Sequence, residues 1–389
     1  MSKKARILFF LPSFSGGGAE RTVLNILKNY DRELVDIKVC LLDFNGNYSA
    51  LVPDNSILNH QDKGRFSVAK ASNPLYSLYK FVGFILPTQY RAIRSFQPDI
   101  IMTITESMNY MSIIWKVLGV TRDMIWVIRS GNNILAEARS KGFLFGHILK
   151  NLLKIAYSKA DHIITLTNGA KSQILSRYSI KESKVSVIAN PIDLDEITSL
   201  SKASIKYPFR YVLGVGRLAP QKNFKLLLEA YHQSIAPSKG IHLVILGVGS
   251  EWQKLMQRVN ELGIEALVHF EGFQENPYSY MKNAEVFILS SSWEGFGHVL
   301  VEAMACQCPV ISTNCDFGPY EILDKGSFGK LVAVNDMNLM SEEINTVITL
   351  EEKKRNELIQ KGNDRAHDFS TEKIVRAYEH LFSTLSGTK

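Results

Sequence analysis

The stretch Val286-Phe287-Ile288-Leu289-Ser290-Ser291-Ser292-Trp293-Glu294-Gly295-Phe296-Gly297-His298-Val299-Leu300-Val301-Glu302 decides how this chain is read. Four apolar residues form a short buried strand, a glycine-rich turn follows, and an apolar-patterned helix opens after it. Gly295 and Gly297 free backbone N–H groups at the helix start, where an anion or a hydroxyl is readily held. Glu294 precedes the turn, and Glu302, eight residues on, lies about one turn into the helix. Two carboxylates framing a glycine cradle suit the hydroxyls of a sugar and a ribose. A plain surface position is the alternative for Glu302, but Val299, Leu300, Val301 and Ala303 around it argue for partial burial.

The same strand–turn–helix unit repeats on either side. In the second half, strands are expected at 211–215, 243–246, 268–270, 286–289, 310–312 and 330–334, with helices at 224–236, 251–262, 299–306 and 337–350. In the first half, strands are expected at 7–11, 37–42, 100–105, 124–129, 162–167 and 185–188, with helices at 19–30 and 168–178. Strands alternating with helices read as βαβ units and parallel sheets. A weakly periodic segment from Asn190-Pro191-Ile192-Asp193 to about residue 207 marks the boundary. The expected organisation is a first domain at 1–190, a linker at 191–207, a second domain at 208–370 and a terminal helix at 371–389. Two doubly wound domains in tandem would leave a cleft between the carboxyl ends of their sheets, the expected place for a ligand.

Composition supports this class and excludes others. The 389 residues are 46% apolar and 21% charged, ordinary for a globular protein and unlike disordered or fibrous chains. Cys40, Cys306, Cys308 and Cys315 form no CxxC pair, which speaks against a zinc site and for a reducing compartment. Lys3, Lys4 and Arg6 lead into an apolar run that Pro12 ends after five residues, too short for a signal peptide. Charge is unevenly divided. Up to Asn190 the chain carries 25 Lys and Arg against 13 Asp and Glu, a net of +12; the remainder carries 20 against 25, a net of −5. The first half is therefore expected to meet something anionic.

Two further motifs stand at strand ends. Ser15-Gly16-Gly17-Gly18-Ala19-Glu20-Arg21 follows the first strand and opens a helix, so its glycines bring backbone close to a ligand, or simply make a tight turn. Gly214-Val215-Gly216-Arg217-Leu218, followed by Lys222, puts two cations at a strand's carboxyl end. Arg217 can grip a diphosphate in a fork, with Lys222 as a point charge.

Together these residues resemble glycosyltransferase family 4. The similarity rests on the E-x7-E spacing of Glu294 and Glu302, the Gly-Arg-Leu-x-x-x-Lys string, the glycine-rich first loop, Asn190-Pro191-Ile192-Asp193, and Gly318-Pro319-Tyr320-Glu321-Ile322-Leu323. The resemblance covers almost the whole chain. It implies the GT-B fold, an α/β architecture of two facing Rossmann-like domains with the C-terminal helix crossing back to the first, and retaining transfer from a nucleotide-activated sugar.

Carried across residue by residue, the resemblance implies that Arg217 and Lys222 neutralise the donor diphosphate as the glycosidic bond breaks. Glu302 would bind the ribose, and Glu294 would hold the donor sugar with backbone N–H groups from Gly295, Phe296 and Gly297. Phe273 and Gln274 match the segment flanking the nucleobase. Gly17 and Gly18 would approach the donor phosphate or sugar from the opposite domain. One departure stands out. Many relatives carry a His in the loop after the fourth or fifth strand of the first domain; here it reads Val127-Ile128-Arg129-Ser130-Gly131-Asn132-Asn133. Arg129 and Asn132 could both reach the cleft, with neither assigned as its substitute. Retention in this fold lacks an agreed nucleophile, so front-side attack assisted by the leaving phosphate is expected.

Asp193-Leu194-Asp195 has the DxD form of metal-dependent sugar transferases but falls in the linker, and the two cations leave no need for a divalent metal. For the acceptor, residues 143–157 pattern as an apolar helix with His147, Lys150, Lys154 and Lys159 near one face and Leu149, Leu152, Leu153 and Ala156 on the other. The aromatic stretch 75–86 is followed by Arg91 and Arg94. Neither reaches the roughly 20 apolar residues of a membrane span. They read as core helices with exposed lysines, or as a surface that meets headgroups. With the basic first half, the second reading points to a polyprenyl-diphosphate-linked saccharide as acceptor and a cytoplasmic, peripheral place on the inner membrane. The donor implied is a UDP-sugar, by the commonest carrier among similar bacterial enzymes of capsule, lipopolysaccharide and protein-linked glycan assembly.

Rival readings fare worse. A dehydrogenase needs GxGxxG and an acidic residue ending the second strand, both missing. No RNA-recognition module or zinc finger is present, so nucleic acid is not expected as a partner. A phosphorylase-like enzyme would need a pyridoxal site and a longer chain. A non-catalytic nucleotide-sugar or glycan-binding homologue remains the alternative, because binding residues alone do not prove turnover.

Overall fold

The computed structural model describes residues 4–59, 81–131, 143–205 and 207–387, and it divides into two units. The first comprises Met1–Pro191 with Thr371–Lys389, the second Ile192–Ser370. In the first, β1 (Ala5–Leu11), β2 (Val35–Leu41), β3 (Ile100–Thr103), β4 (Ile125–Ser130), β5 (His162–Thr165) and β6 (Val185–Val187) form one parallel sheet in the order β2-β1-β3-β4-β5-β6. Its helices are α1 (Gly18–Asn29), α2 (Leu86–Phe96), α3 (Glu106–Val117), α4 (Phe143–Lys159) and α5 (Asn168–Tyr178).

The second unit opens with α6 (Leu194–Leu200), then alternates β7 (Tyr211–Val215), α7 (Phe224–Gln233), β8 (His242–Leu246), α8 (Trp252–Leu262), β9 (Val268–Phe270), α9 (Tyr278–Asn283) and β10 (Val286–Leu289). It continues with α10 (His298–Ala305), β11 (Val310–Thr313), α11 (Gly318–Ile322), β12 (Lys330–Val332), α12 (Met337–Ile348) and α13 (Glu352–Ala366). Its parallel sheet runs β12-β11-β10-β7-β8-β9. The helix α14 (Thr371–Ser386) returns to the first unit.

Why the sheets form is visible in the burial. Every residue of β3, β5, β10 and β11 is buried, as expected for parallel strands covered on both faces. On one face of the first sheet, Phe9, Val39, Met102 and Val127 pack against Val23 and Leu27 of α1 and against Val375, Tyr378 and Phe382 of α14. Phe9 and Phe382 meet at 6.1 Å between ring centres, and Asp31 N–H donates to Glu379 Oε1 of α14 at 2.6 Å. The other face packs Leu8, Phe10 and Ile101 against Ile93 and Trp115. The second sheet has its own core, with Val212, Leu243, Ile245 and Ile288 against Leu227, Tyr231 and Ile344.

Local chemistry sets several boundaries. Asp193 caps a helix: its carboxylate accepts from Glu196 N–H at 2.9 Å, starting α6. The segment after Pro191 thus becomes helical and belongs to the second unit. The helix expected at 224–236 stops at Gln233, because Ser234 turns extended and returns its hydroxyl to Tyr231 O at 2.7 Å. Helices α2, α3 and α13 had not been anticipated. No helix among the described residues is long and apolar enough to cross a membrane.

Candidate active site

The chain order of the second sheet reverses between β7 and β10: the chain leaves β7 toward β8 and β9, then returns to build β10, β11 and β12 on the other side. Loops after two such strands diverge to opposite faces, leaving a crevice at their carboxyl ends where α/β sheets bind ligands. The loop after β7 carries Arg217 and Lys222; the loop after β10 carries Glu294 to Gly297. Far apart in the sequence, the two motifs become neighbours.

Hydrogen bonds knit these loops together. Gln221 Nε2 donates to Trp293 O at 2.9 Å, Ser292 N–H to Gln221 O at 2.8 Å, and Ser290 Oγ to Lys222 O at 2.8 Å. Lys222 Nζ reaches Glu294 Oε1 at 2.5 Å, and Ser291 Oγ donates to the same oxygen at 2.6 Å. Ser291 is fixed in turn, since Thr313 Oγ1 donates to its carbonyl at 2.6 Å. Glu294 is only 6% exposed. A charged carboxylate at that depth requires a counterion and donors, and Lys222 with Ser291 supply both. Both donors take Oε1, leaving Oε2 for a further hydrogen bond.

The glycines have specific work here. Gly297 has φ +104°, a left-handed conformation at the start of α10 that costs glycine nothing. A Cβ on Gly318 would stand 1.7 Å from Phe296 O, so the Gly318-Pro319 turn after β11 presses directly on the Gly295–Gly297 loop. The main chain of Glu294 also pairs with this turn, accepting from Phe317 N–H and donating to Asp316 O, both at 3.1 Å.

Other expected residues fall into distinct places. Arg217 is exposed and makes no ion pair among the described residues, whereas Lys222 is half-buried and paired. Glu302 is 2% exposed within α10, deeper than the sequence pattern implied. The ring of Phe296 is buried edge-on to Phe369 at 5.4 Å, which leaves only its main chain for a ligand. Phe273 and Gln274 follow β9, two strands from β7; Phe273 is half-exposed, and Gln274 Nε2 donates to Glu271 O at 2.7 Å.

In the first unit, Gly17 and Gly18 begin α1 after β1, at the point where that sheet's order also reverses. The helix start is already matched by its own acid: a Cβ on Gly17 would meet Glu20 Oε2 at 2.4 Å. Arg129 does not project from a loop. It ends β4, only 1% exposed, and Nη2 donates to Asn190 Oδ1 and, at 3.4 Å, to Thr22 Oγ1. Asn132 and Asn133 lie outside the described residues, as do residues 60–80 of the aromatic region. Of that stretch, Ile85 is core, while Arg91 and Arg94 are exposed. On α4, Lys154 and Lys159 are exposed with Ile155, whereas Leu153, Ala156 and Tyr157 are buried.

Sequence reasoning missed the residues that hold others in place: Gln221, Ser290, Ser291 and Thr313. It also passed over Gly247-Val248-Gly249 after β8, a glycine pair at a strand end. A Cβ on Gly247 would stand 1.9 Å from Gly216 O, and one on Gly249 2.2 Å from Leu218 O. Those two glycines let the loop after β8 lie directly against the Arg217 loop.

Two family models match the chain in tandem: "Glycosyltransferase Family 4" over residues 16–196 and "Glycosyl transferases group 1" over residues 198–365. The chain is 29% identical over 368 residues to the N-acetylgalactosamine-N,N'-diacetylbacillosaminyl-diphospho-undecaprenol 4-alpha-N-acetylgalactosaminyltransferase of Campylobacter jejuni, covering 94% of this chain and 96% of that one. It is 24% identical to the amylovoran biosynthesis glycosyltransferase AmsD of Erwinia amylovora, over 97% and 99% of the two chains. Among solved structures, Anabaena HepE, crystallised with UDP and glucose, superposes with a TM-score of 0.75 at 21% identity, over 97% and 99%. With both halves matched in order and both sheets in place, the chain belongs to glycosyltransferase family 4 and has the GT-B fold.

Proposed function

We propose that this glycosyltransferase is a retaining enzyme that moves a hexose or N-acetylhexosamine from a UDP-sugar to a polyprenyl-diphosphate-linked saccharide, in the assembly of a bacterial surface glycan. The observation that carries the reading is the knot of Lys222, Glu294 and Ser291 where the second sheet reverses order. The Campylobacter relative, named for a diphospho-undecaprenol acceptor and aligned along nearly the whole chain, supports the acceptor class. The HepE complexes with UDP support the carrier. The exposed lysines of α4 support a peripheral place on the cytoplasmic face of the inner membrane, where such an acceptor presents its diphosphate.

In this reading the bond from the sugar's anomeric carbon to the β-phosphate oxygen breaks while an acceptor hydroxyl attacks the same face. The acceptor's proton passes to the departing phosphate oxygen, and UDP leaves. Arg217 and Lys222 take up the negative charge that grows on the diphosphate, in the role that a divalent metal plays in other transferases. Glu294 gives Oε2 to a sugar hydroxyl, Glu302 holds the ribose, and Phe273 with Gln274 flanks the uracil.

Isothermal titration against UDP, ADP and GDP, first without metal and then with magnesium, tests the donor half. Metal-independent UDP binding that is lost in Arg217→Ala and Glu302→Ala is the expected result. Binding of none of the three nucleotides sinks the reading and brings a non-catalytic homologue forward. A product of inverted anomeric configuration, or a trapped glycosyl-enzyme, refutes the retaining front-side step.

A further inference from the structure

Among the described residues, no carboxylate pairs with one cation buried in the first unit. Arg129 is 1% exposed, and of its three guanidinium nitrogens only Nη2 is engaged, by Asn190 Oδ1 and Thr22 Oγ1. Nε and Nη1 have no hydrogen-bond partner, and among the described residues no carboxylate pairs with this side chain. Tyr378 of α14 is fully buried against it, with its hydroxyl placed for a side-chain hydrogen bond to Arg129. Burial pushes the Tyr378 hydroxyl up in pKa, and the Arg129 guanidinium opposes that rise, which places the two groups within electrostatic reach of each other. Two guanidinium nitrogens without a partner among the described residues thus lie near the carboxyl end of β4, beside the Tyr378 hydroxyl.

An unpaired guanidinium in the interior costs several kcal/mol, and native interiors rarely tolerate such a group without a use for it. The start of α1, one turn from Thr22, does not supply the missing anion: its own end is matched by Glu20. Gly131, two residues after Arg129, has no side chain to crowd Nη1: a Cβ there would stand 2.9 Å from it. The spot therefore combines a guanidinium with unpartnered N–H donors among the described residues, a neighbouring hydroxyl and a neighbour with no side chain.

We propose that Arg129, with Tyr378 beside it, forms the floor of an anion subsite within the first unit, and that it takes a phosphate or diphosphate group. A guanidinium matches the oxygens of a phosphate in a planar fork. Tyr378 adds a neutral donor. Its residues belong to the first unit, whereas Arg217 and Lys222 belong to the second. Resting on the function proposed above, the phosphate comes either from the lipid diphosphate of the acceptor or from the donor; the subsite itself does not depend on that reading.

The test uses the full chain carrying Arg217→Ala and Lys222→Ala, so that only the first unit can answer. Inorganic pyrophosphate at saturation is expected to raise the melting temperature by about 2–4 °C. Adding Arg129→Met should abolish that shift without lowering the melting temperature in the absence of pyrophosphate, because an uncompensated charge is removed. A shift that survives Arg129→Met, or no shift while Arg129 is intact, overturns the proposal. If the Met variant fails to fold, Arg129→Lys keeps the charge and loses Nε: pyrophosphate affinity at least about tenfold weaker supports the subsite, and unchanged affinity overturns it. Farnesyl diphosphate and UDP then separate the sources in a chain carrying Arg129→Met alone. Loss of the first ligand with UDP binding intact assigns the subsite to the acceptor; loss of UDP binding assigns it to the donor. Failure of UDP to bind the unaltered protein defeats the proposed function and leaves the pyrophosphate result standing.

Discussion

The two units share one architecture but treat the polar groups at their strand ends in opposite ways. In the second, nearly every such group has a partner: Lys222 with Glu294, Ser291 with Glu294, Thr313 with Ser291, Gln221 with Trp293. In the first, among the described residues, Arg129 near the end of β4 keeps two buried nitrogens without partners, and so do side-chain atoms of Asn109 and Ser112 within α3. A network whose members satisfy one another holds its geometry before any ligand arrives. Orphaned groups cost stability in the free protein and recover it only when something binds. The network around Glu294 is thus held in place by its own partners, while the unpartnered groups of the first unit are where the proposed anion would act.

The largest expected effect breaks the ready network at its centre. Glu294→Ala is expected to lower turnover about 100- to 1000-fold, as when a preorganised transition-state contact is removed. Because Lys222 then loses its partner, UDP should bind at least as tightly as before; titration and UDP-release assays on one preparation check both parts. Weakened UDP binding would mean that Lys222 depends on Glu294 for its position. Next in size is Gly318→Ala, where the added Cβ meets Phe296 O at 1.7 Å. A stability loss of about 2–3 kcal/mol in urea unfolding is expected. A loss below half of that would show that the loop yields, and that its preorganisation is overstated.

A substitution in the first unit should act with the opposite sign. Asn109 is fully buried, with Nδ2 and Oδ1 both unpartnered. Asn109→Leu is expected to stabilise the protein by about 1 kcal/mol in the same urea experiment, since two stranded polar atoms are removed. Destabilisation would mean that the amide has a role in the folded chain. The smallest effect belongs to an imidazole pair in the second unit, where His242 Nδ1 and His269 Nε2 lie 2.9 Å apart beneath Phe209. Burial, then the proximity of His269, holds His242 below the usual histidine pKa. The unfolded chain therefore binds more protons than the folded one once pH falls below about 6.5. Stability present above that value is lost as pH falls toward the lowered pKa. Melting curves from about pH 7.5 to about pH 5.5 should fall less steeply in His242→Phe than in the unaltered protein.

Much of the fold was legible because parallel strands buried on both faces read as apolar runs, and twelve such runs stand where twelve strands form. The glycine turns at Gly16 and Gly297 were legible too, since few residue types other than glycine suit their φ of +113° and +104°. Ser291 and Thr313 were not. Serine and threonine are common at strand ends, and nothing in their spacing shows that one fixes Glu294 and the other fixes Ser291. Arg129 was read as a loop cation, since a Lys or Arg in sequence looks exposed by default. Its burial follows from α1, Asn190 and α14 closing over the end of β4, contacts that span up to 249 residues of chain.

The sequence by itself determined the alternation, the two sheets and the chemical types at each strand end, because these depend on local periodicity and on backbone freedom. Only the tertiary structure decided which residues meet. Strand order, which no local pattern encodes, put β7 beside β10 and so joined Lys222 to Glu294 across 72 positions. The same ordering in space, with the last helix folded back over the first sheet, left the Arg129 guanidinium buried and, among the described residues, without a carboxylate partner. Pairing and desolvation arise from proximity in three dimensions, and the energy of a charge depends on both.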